Sequence, residues 1–338
     1  MKKIFALVLC FAMFVCVLTS CGVNDVKKDK LKIVTTIFPE YDWVKQILGD
    51  NAKNADVTML LDNGVDLHSY QPSADDIIKI SSCDMFIYVG GESDSWVKDV
   101  LKNAVNKNMA VIDLLEVLGD DVKEEEIKEG MQGDHDHEHE HDDEDDHDHE
   151  DHDHEEEEET EYDEHVWLSL KNAAKLCKHI SEKLGEIDVV NKVVYASNAD
   201  AYIAKLNALD AKYVEAVSAA RTKTLLFGDR FPFRYLTDDY GLDYYAAFVG
   251  CSAESEASFE TIVFLSKKVD ELGLKAIIQI ESADGKIANT IKENTKTKDQ
   301  AILTLDSMQS TTLSDVNGGA SYLSIMEKNL IILKDALK

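Results

Sequence analysis

Beyond residue 30 the chain alternates short apolar runs of strand length with stretches of helical period. Residues 32–36, 56–60, 84–89 and 110–114 are β-branched or apolar runs. Helix-like segments lie between them over 40–48, behind Ser73, and over 95–107, and Pro72-Ser73 is a helix-entry signal. A second set of strands follows at 223–227, 244–248, 276–281 and 301–305, with helices at 231–240, 258–272, 286–294 and 319–337. This alternation predicts an α/β fold of two lobes, 31–188 and 220–338, each a roughly four-stranded parallel sheet covered by helices. Between them, 189–219 contains no Gly or Pro, and Tyr202, Leu206, Leu209, Tyr213 and Val217 recur at spacings of three and four. That pattern predicts one long rigid helix joining the lobes, the alternative being a helix packed wholly inside one of them.

The first twenty residues read as a signal peptide: Lys2 and Lys3, an apolar run over 4–18, then Leu18-Thr19-Ser20-Cys21. The last four residues resemble a bacterial lipobox, which implies lipidation of Cys21 and a polar tether over 21–30. An ordinary signal peptide or membrane anchor is the plainer reading. Cys83 and Cys177 fall in apolar patterns and Cys251 in a loop; an odd trio without C-x-x-C spacing argues against a disulfide framework.

The net charge of −31 argues against nucleic acid as a partner. It is concentrated: residues 134–164 hold 21 acidic side chains and no Lys or Arg. Eight of the eleven histidines fall in the same tract, at His135, His137, His139, His141, His147, His149, His152 and His154. Alternating His with Asp and Glu mixes imidazole and carboxylate donors that suit zinc, nickel and copper. Residues 124–161 carry too little apolar surface to offset chain ordering, so disorder is expected there, with several sites of modest affinity. Such sites lose metal as pH falls through about 6.5, where ordinary imidazoles protonate. A solvated charge run without function is the bland alternative, but eight His within twenty residues argue against it.

Of the other three, His179 lies on a helix beside Lys178 and Glu182 and reads as a surface residue. His68 lies in Gly64-Val65-Asp66-Leu67-His68-Ser69-Tyr70-Gln71-Pro72-Ser73, after the second strand. His165 lies in Asp163-Glu164-His165-Val166-Trp167-Leu168-Ser169, before a helix for which Ser169 is a candidate cap. Ligands of open α/β sheets bind beyond the carboxyl ends of strands, which adds Asp229 and Glu281 as candidates. Two imidazoles and two carboxylates converging between the lobes form a candidate metal site.

These features together (the lipobox, the two His motifs around the acidic tract, the long helix and a late glutamate) resemble the zinc/manganese-type solute-binding lipoproteins of metal ABC importers. The resemblance runs from about residue 31 to the C-terminus. It implies two lobes joined by a rigid helix, one ion in the cleft, His68 and His165 as ligands from the first lobe and Glu281 as the carboxylate from the second. Zinc-type relatives carry a His after the first strand of the second lobe and manganese-type relatives a Glu. Here the stretch reads Phe227-Gly228-Asp229-Arg230-Phe231-Pro232. Asp229 is therefore the candidate third ligand and Arg230 a candidate partner for a carboxylate, with water or a loop His as the alternative for completing the shell. Glu92 is a candidate for orienting a ligand, and Asp284 is a weaker substitute for Glu281.

The expectation is a monomeric, lipid-anchored protein on the extracytoplasmic face of the cell membrane, delivering zinc, or alternatively manganese, to an ABC permease. A surface metal buffer or adhesin competes with this reading. So does a zinc metallohydrolase, but no H-E-x-x-H motif or nucleophile setting is present, and no enzyme activity is expected.

Overall fold

In the computed structural model, residues 30–132, 161–252 and 256–338 are described. The leader, Cys21, the tether up to residue 29 and all eight histidines of the acidic tract lie outside the described residues. The first sheet contains β1 (Leu31–Thr35), β2 (Ala55–Met59), β3 (Met85–Tyr88) and β4 (Ala110–Asp113), in the order β2-β1-β3-β4. The second contains β5 (Thr224–Phe231), β6 (Asp243–Val249), β7 (Ala276–Ile280) and β8 (Ala301–Leu305), in the order β6-β5-β7-β8. Both are parallel sheets, as the near-continuous apolar runs require of strands covered on both faces. Around the first sheet lie α1 (Phe38–Leu48), α2 (Ala74–Ser82), α3 (Val97–Lys102), α4 (Leu114–Leu118) and α5 (Leu170–Ile187). Then follow the long α6 (Lys192–Ser218), α7 (Arg234–Tyr240), α8 (Phe259–Leu272), α9 (Lys286–Asn294), α10 (Leu313–Asn317) and α11 (Tyr322–Ala336). None of the described helices is long and apolar enough to cross a membrane.

The 27 residues of α6 make a rod of about 40 Å at 1.5 Å per residue. Tyr195, Ala199, Tyr202, Leu206, Leu209, Tyr213 and Val217 form its buried stripe. The stripe packs on α1 and α5 beside the first sheet and on α7 and α11 beside the second, so the helix spans both lobes. Its first expected turn, Val189–Asn191, is a separate 3-10 turn. One buried carboxylate ties the parts together: Asp42 on α1 accepts from the Tyr202 hydroxyl at 3.1 Å and from the Tyr322 backbone N–H at 3.3 Å.

Several boundaries differ from the sequence pattern for identifiable reasons. Strand β5 runs through to Phe231, where a helix was expected, because Pro232 disfavours helical backbone at the residue before it. Helix α3 ends at Lys102 because the Ser81 carbonyl accepts both Val105 N–H and Asn106 N–H, turning the chain away. The expected disorder over 124–161 does not hold at its edges. Glu124 bridges Tyr162, and Gln132 bridges Phe248 of β6. Lys128 pairs with Asp243 and lies 4.0 Å above the Tyr244 ring, so charge and cation–π contacts supply the ordering that apolar content does not.

Replacing Tyr202 by Phe removes a donor from the buried Asp42, and chemical denaturation is expected to show a loss of about 1–3 kcal/mol. A second prediction concerns pH. Burial, with Asp94 nearby, lifts Glu40 from 4.5 to about 8, and burial lifts Asp94 to about 7. Both acids keep a proton in the folded chain at pH values where the unfolded chain has lost it. Their contribution is thus full in acid and is lost as pH rises toward 8. The thermal midpoint of metal-free protein should fall between pH 5 and pH 8, and Glu40→Gln should flatten that decline.

Candidate metal centre

His68 lies in a 3-10 turn, Leu67–Ser69, that Asp66 caps by accepting the His68 N–H at 3.1 Å. The other Asp66 oxygen forms an ion pair with Arg230 of β5, so the second lobe helps hold this turn. Burial alone raises the Asp66 carboxyl, but Arg230 and His68 beside it bring it below its ordinary value. His165 is fully buried. Its backbone N–H and its ring Nδ1 both reach Asp163 Oδ1, at 2.8 and 3.0 Å. Asp163 is fixed in turn by Tyr235 of α7, whose hydroxyl donates to the Asp163 carbonyl at 2.8 Å. Ser169 then caps α5 by accepting Asn172 N–H, as the motif predicts.

The two rings meet Nε2 to Nε2 at 3.2 Å. On the far side of His68, Nδ1 is 2.8 Å from Ser93 Oγ and 3.5 Å from Glu164 Oε2. Glu164 also accepts Ser93 N–H at 2.9 Å. Burial pushes its carboxyl up, but the His68 and Ser93 donors outweigh that and hold it below its ordinary value. Carboxylates accept and do not donate, so Asp163 assigns the His165 ring proton to Nδ1; with the Ser93 hydroxyl accepting and Glu164 behind it, the same tautomer for His68 turns both Nε2 lone pairs toward each other. Two bare lone pairs facing each other repel unless a cation lies between them. Tetrahedral zinc with nitrogen ligands at about 2.05 Å separates those nitrogens by about 3.3 Å, which the observed 3.2 Å matches.

The second lobe approaches the pair by a different route from the one the motifs indicate. Gly250, just after β6, lies against His165: a Cβ there would be 3.0 Å from the ring Cε1. Its neighbour Cys251 brings a thiol into the group, and among the described residues His68, His165 and Cys251 have ligand atoms within 4.8 Å of one another. Burial, together with the carboxylates of Asp163, Glu125 and Glu164, pushes this thiol well above its ordinary value.

Asp229 and Glu281 lie outside that group. Asp229 sits at a break in the β5–β6 register, where its two oxygens accept from Arg230 N–H at 2.9 Å and Ile280 N–H at 3.0 Å. It satisfies the backbone of a bulge and is not brought to the histidines. Glu281 Oε1 accepts from both hydroxyls and two N–H groups of the turn around Ser307, Gln309 and Ser310, and Oε2 accepts Ser307 N–H at 2.7 Å. The same Ser307 accepts the Trp167 indole N–H at 2.8 Å, which links the Glu281 turn to the His165 turn. Glu92 is exposed, and the orienting contacts come from Ser93 and Glu164 instead. His179 is partly buried on α5.

A family model described as "Zinc-uptake complex component A periplasmic" matches residues 33–336. The chain belongs to the ZnuA family. It is similar to the zinc-binding lipoprotein AdcA of Streptococcus pneumoniae, 35% identical over 340 residues, covering 99% of this chain and 61% of the relative. The chain thus spans about three-fifths of the length of that relative. The high-affinity zinc uptake system protein ZnuA of Bacillus subtilis is 31% identical over 316 residues, covering 94% of this chain and 90% of the relative. Among solved structures, the Zn(II)-bound ZnuA-like domain of S. pneumoniae AdcA superposes with a TM-score of 0.68 at 31% identity, covering 91% of this chain and 99% of that one. The B. subtilis lipoprotein YcdH gives 0.70 at 27% identity, with the same coverage. These ZnuA-like folds agree with two parallel sheets and a long helix between them.

Asp163→Asn keeps an oxygen for the His165 N–H but removes the charge that fixes the ring tautomer. Zinc affinity of this ZnuA-family chain, measured by competition with a chelating dye, should fall by about 10–100-fold with the fold retained.

Proposed function

We propose that the chain captures one zinc ion between its lobes on the extracytoplasmic side of the membrane, held there by lipid on Cys21, and hands it to the permease of an ABC importer. The observation that carries this reading is the Nε2–Nε2 approach of His68 and His165 at 3.2 Å, each ring backed at Nδ1 by a carboxylate. Relatives named for zinc binding and zinc uptake support both the ion and the importer. In this reading His68 and His165 are ligands from the first lobe. Glu281 supplies a carboxylate from the second through Oε2, the oxygen with a single hydrogen-bond donor. Manganese is the weaker alternative, because two imidazoles favour the softer ion. The tract over 134–154 collects further ions weakly and raises their local concentration near the cleft.

The test is a comparison of three chains by isothermal titration with zinc. The parent should show one tight ion and several weak ones. Deleting 134–154 should remove the weak ions and spare the tight one, whereas His68→Ala in the full chain should lose the tight ion and keep the weak ones. A tight ion that disappears with the tract would refute the cleft receptor.

A further inference from the structure

We infer that Cys251 is a metal ligand: the second lobe supplies a thiolate, where zinc-type relatives supply a third imidazole. The inference rests on the cleft receptor reading and deepens it. One ring nitrogen from each of His68 and His165 and the Cys251 Sγ lie within 4.8 Å of one another, and the two Nε2 atoms already have the separation of a tetrahedral pair. A zinc–sulfur bond of about 2.3 Å puts the sulfur about 3.6 Å from each nitrogen, so at most about 1.2 Å of closure is needed, within the range of one side-chain rotation.

The position of Cys251 is built rather than incidental. Gly250 packs against the His165 ring and against the Phe231 carbonyl, so a larger residue there would push the loop off the imidazole. The Cys251 N–H donates to Glu125 Oε1 at 3.2 Å, which fixes the backbone from the opposite lobe. Cys251 lines the same cleft as His68 and Glu164. Glu164, buried beside this group, has its Oε2 3.5 Å from His68 Nδ1 and no nearer donor. The thiol forms no disulfide; Cys83 and Cys177, the other described free cysteines, are buried in the apolar interior.

Chemically, the S–H bond breaks, a sulfur–metal bond forms, and the proton leaves to solvent, so ion capture releases one proton at this residue. A sulfur donor also separates ions: thiolate favours zinc and disfavours manganese. The second-lobe contribution therefore makes the cleft selective where carboxylate donors alone would admit the harder ion.

Cobalt(II) reports the thiolate directly. The metal-stripped full chain, titrated with cobalt, should develop a near-ultraviolet sulfur-to-cobalt charge-transfer band. The acidic tract cannot generate it, since residues 134–164 contain no cysteine. Cys251→Ser should lose the band, bind zinc at least about tenfold more weakly, and narrow the gap between zinc and manganese, with its circular dichroism unchanged. Cys251→His should recover zinc affinity without the band. In the parent, zinc should also protect Cys251 from alkylation by N-ethylmaleimide, mapped by peptide mass. A cobalt complex without the band, together with Cys251→Ser that binds zinc as tightly as the parent, overturns the thiolate and leaves the receptor standing. A His68→Ala chain that keeps its tight zinc overturns the receptor reading itself.

Discussion

Two imidazole nitrogens with bare lone pairs, 3.2 Å apart in a buried cleft, are the constraint around which the rest is arranged. Left alone, such rings would rotate apart or share a proton. Here each is fixed from behind, His165 by Asp163 and His68 by Ser93 and Glu164. The fixing groups are themselves held across the cleft. Tyr235 of the second lobe holds the Asp163 carbonyl, and Trp167 reaches over to Ser307, which holds Glu281. The site is therefore a property of the joint between the lobes, and the shared strut α6, pinned through Tyr202 to Asp42, keeps that joint in register.

The arrangement has an electrostatic cost. Burial above all, with Glu164 beside Asp94 and Asp94 beside Glu40, raises both carboxyls, so a file of buried acids runs back from the histidines into the first lobe. One oxygen of Asp94 and one of Glu164 are buried without a hydrogen-bond donor. Such buried oxygens cost stability; Glu40 and Asp94 limit that cost by keeping their protons, while Glu164, held below its ordinary value, carries a negative charge beside the histidines that would favour a divalent cation in a low-dielectric cleft. An ion that binds only the folded state would return the stability given up here.

The fold was legible because the rules that define it are local: apolar runs of strand length, helical spacing, and the caps at Ser73 and Ser169. His68 and His165 were legible because each sits in a recognisable loop at an element boundary. Asp229 was reached by applying the strand-end rule to a strand taken to stop at Phe227, and it lies outside the histidine group. The strand continues through a bulge to Phe231, a continuation that Pro232 signals. The same rule, extended to β6, would have reached Gly250 and Cys251, two residues past a strand that ends at Val249. No local pattern marks Cys251, since its significance arises only when β6 is placed against a loop more than eighty residues earlier. The ordered edge at 124–132 escaped for a related reason: its partners, Tyr244, Asp243 and Ala247, are supplied by the other lobe.

Charge balance gives the thiolate a reason beyond proximity. Where the resemblance implies a neutral imidazole in the second lobe, this chain has Asp229-Arg230, and the guanidinium adds a fixed positive charge near the cleft. Asp66 cancels it through their ion pair and is thereby committed to Arg230 and to the His68 turn. Asp229 is committed to the bulge. A divalent ion between two neutral imidazoles still needs two negative donors to be neutral in a buried setting, and in the proposed ligand set Glu281 is one. With Asp66 and Asp229 occupied, the proposed Cys251 thiolate would be the second, formed only as the cation arrives. The substitution of arginine for histidine and the presence of Cys251 thus read as two halves of one change in the donor set.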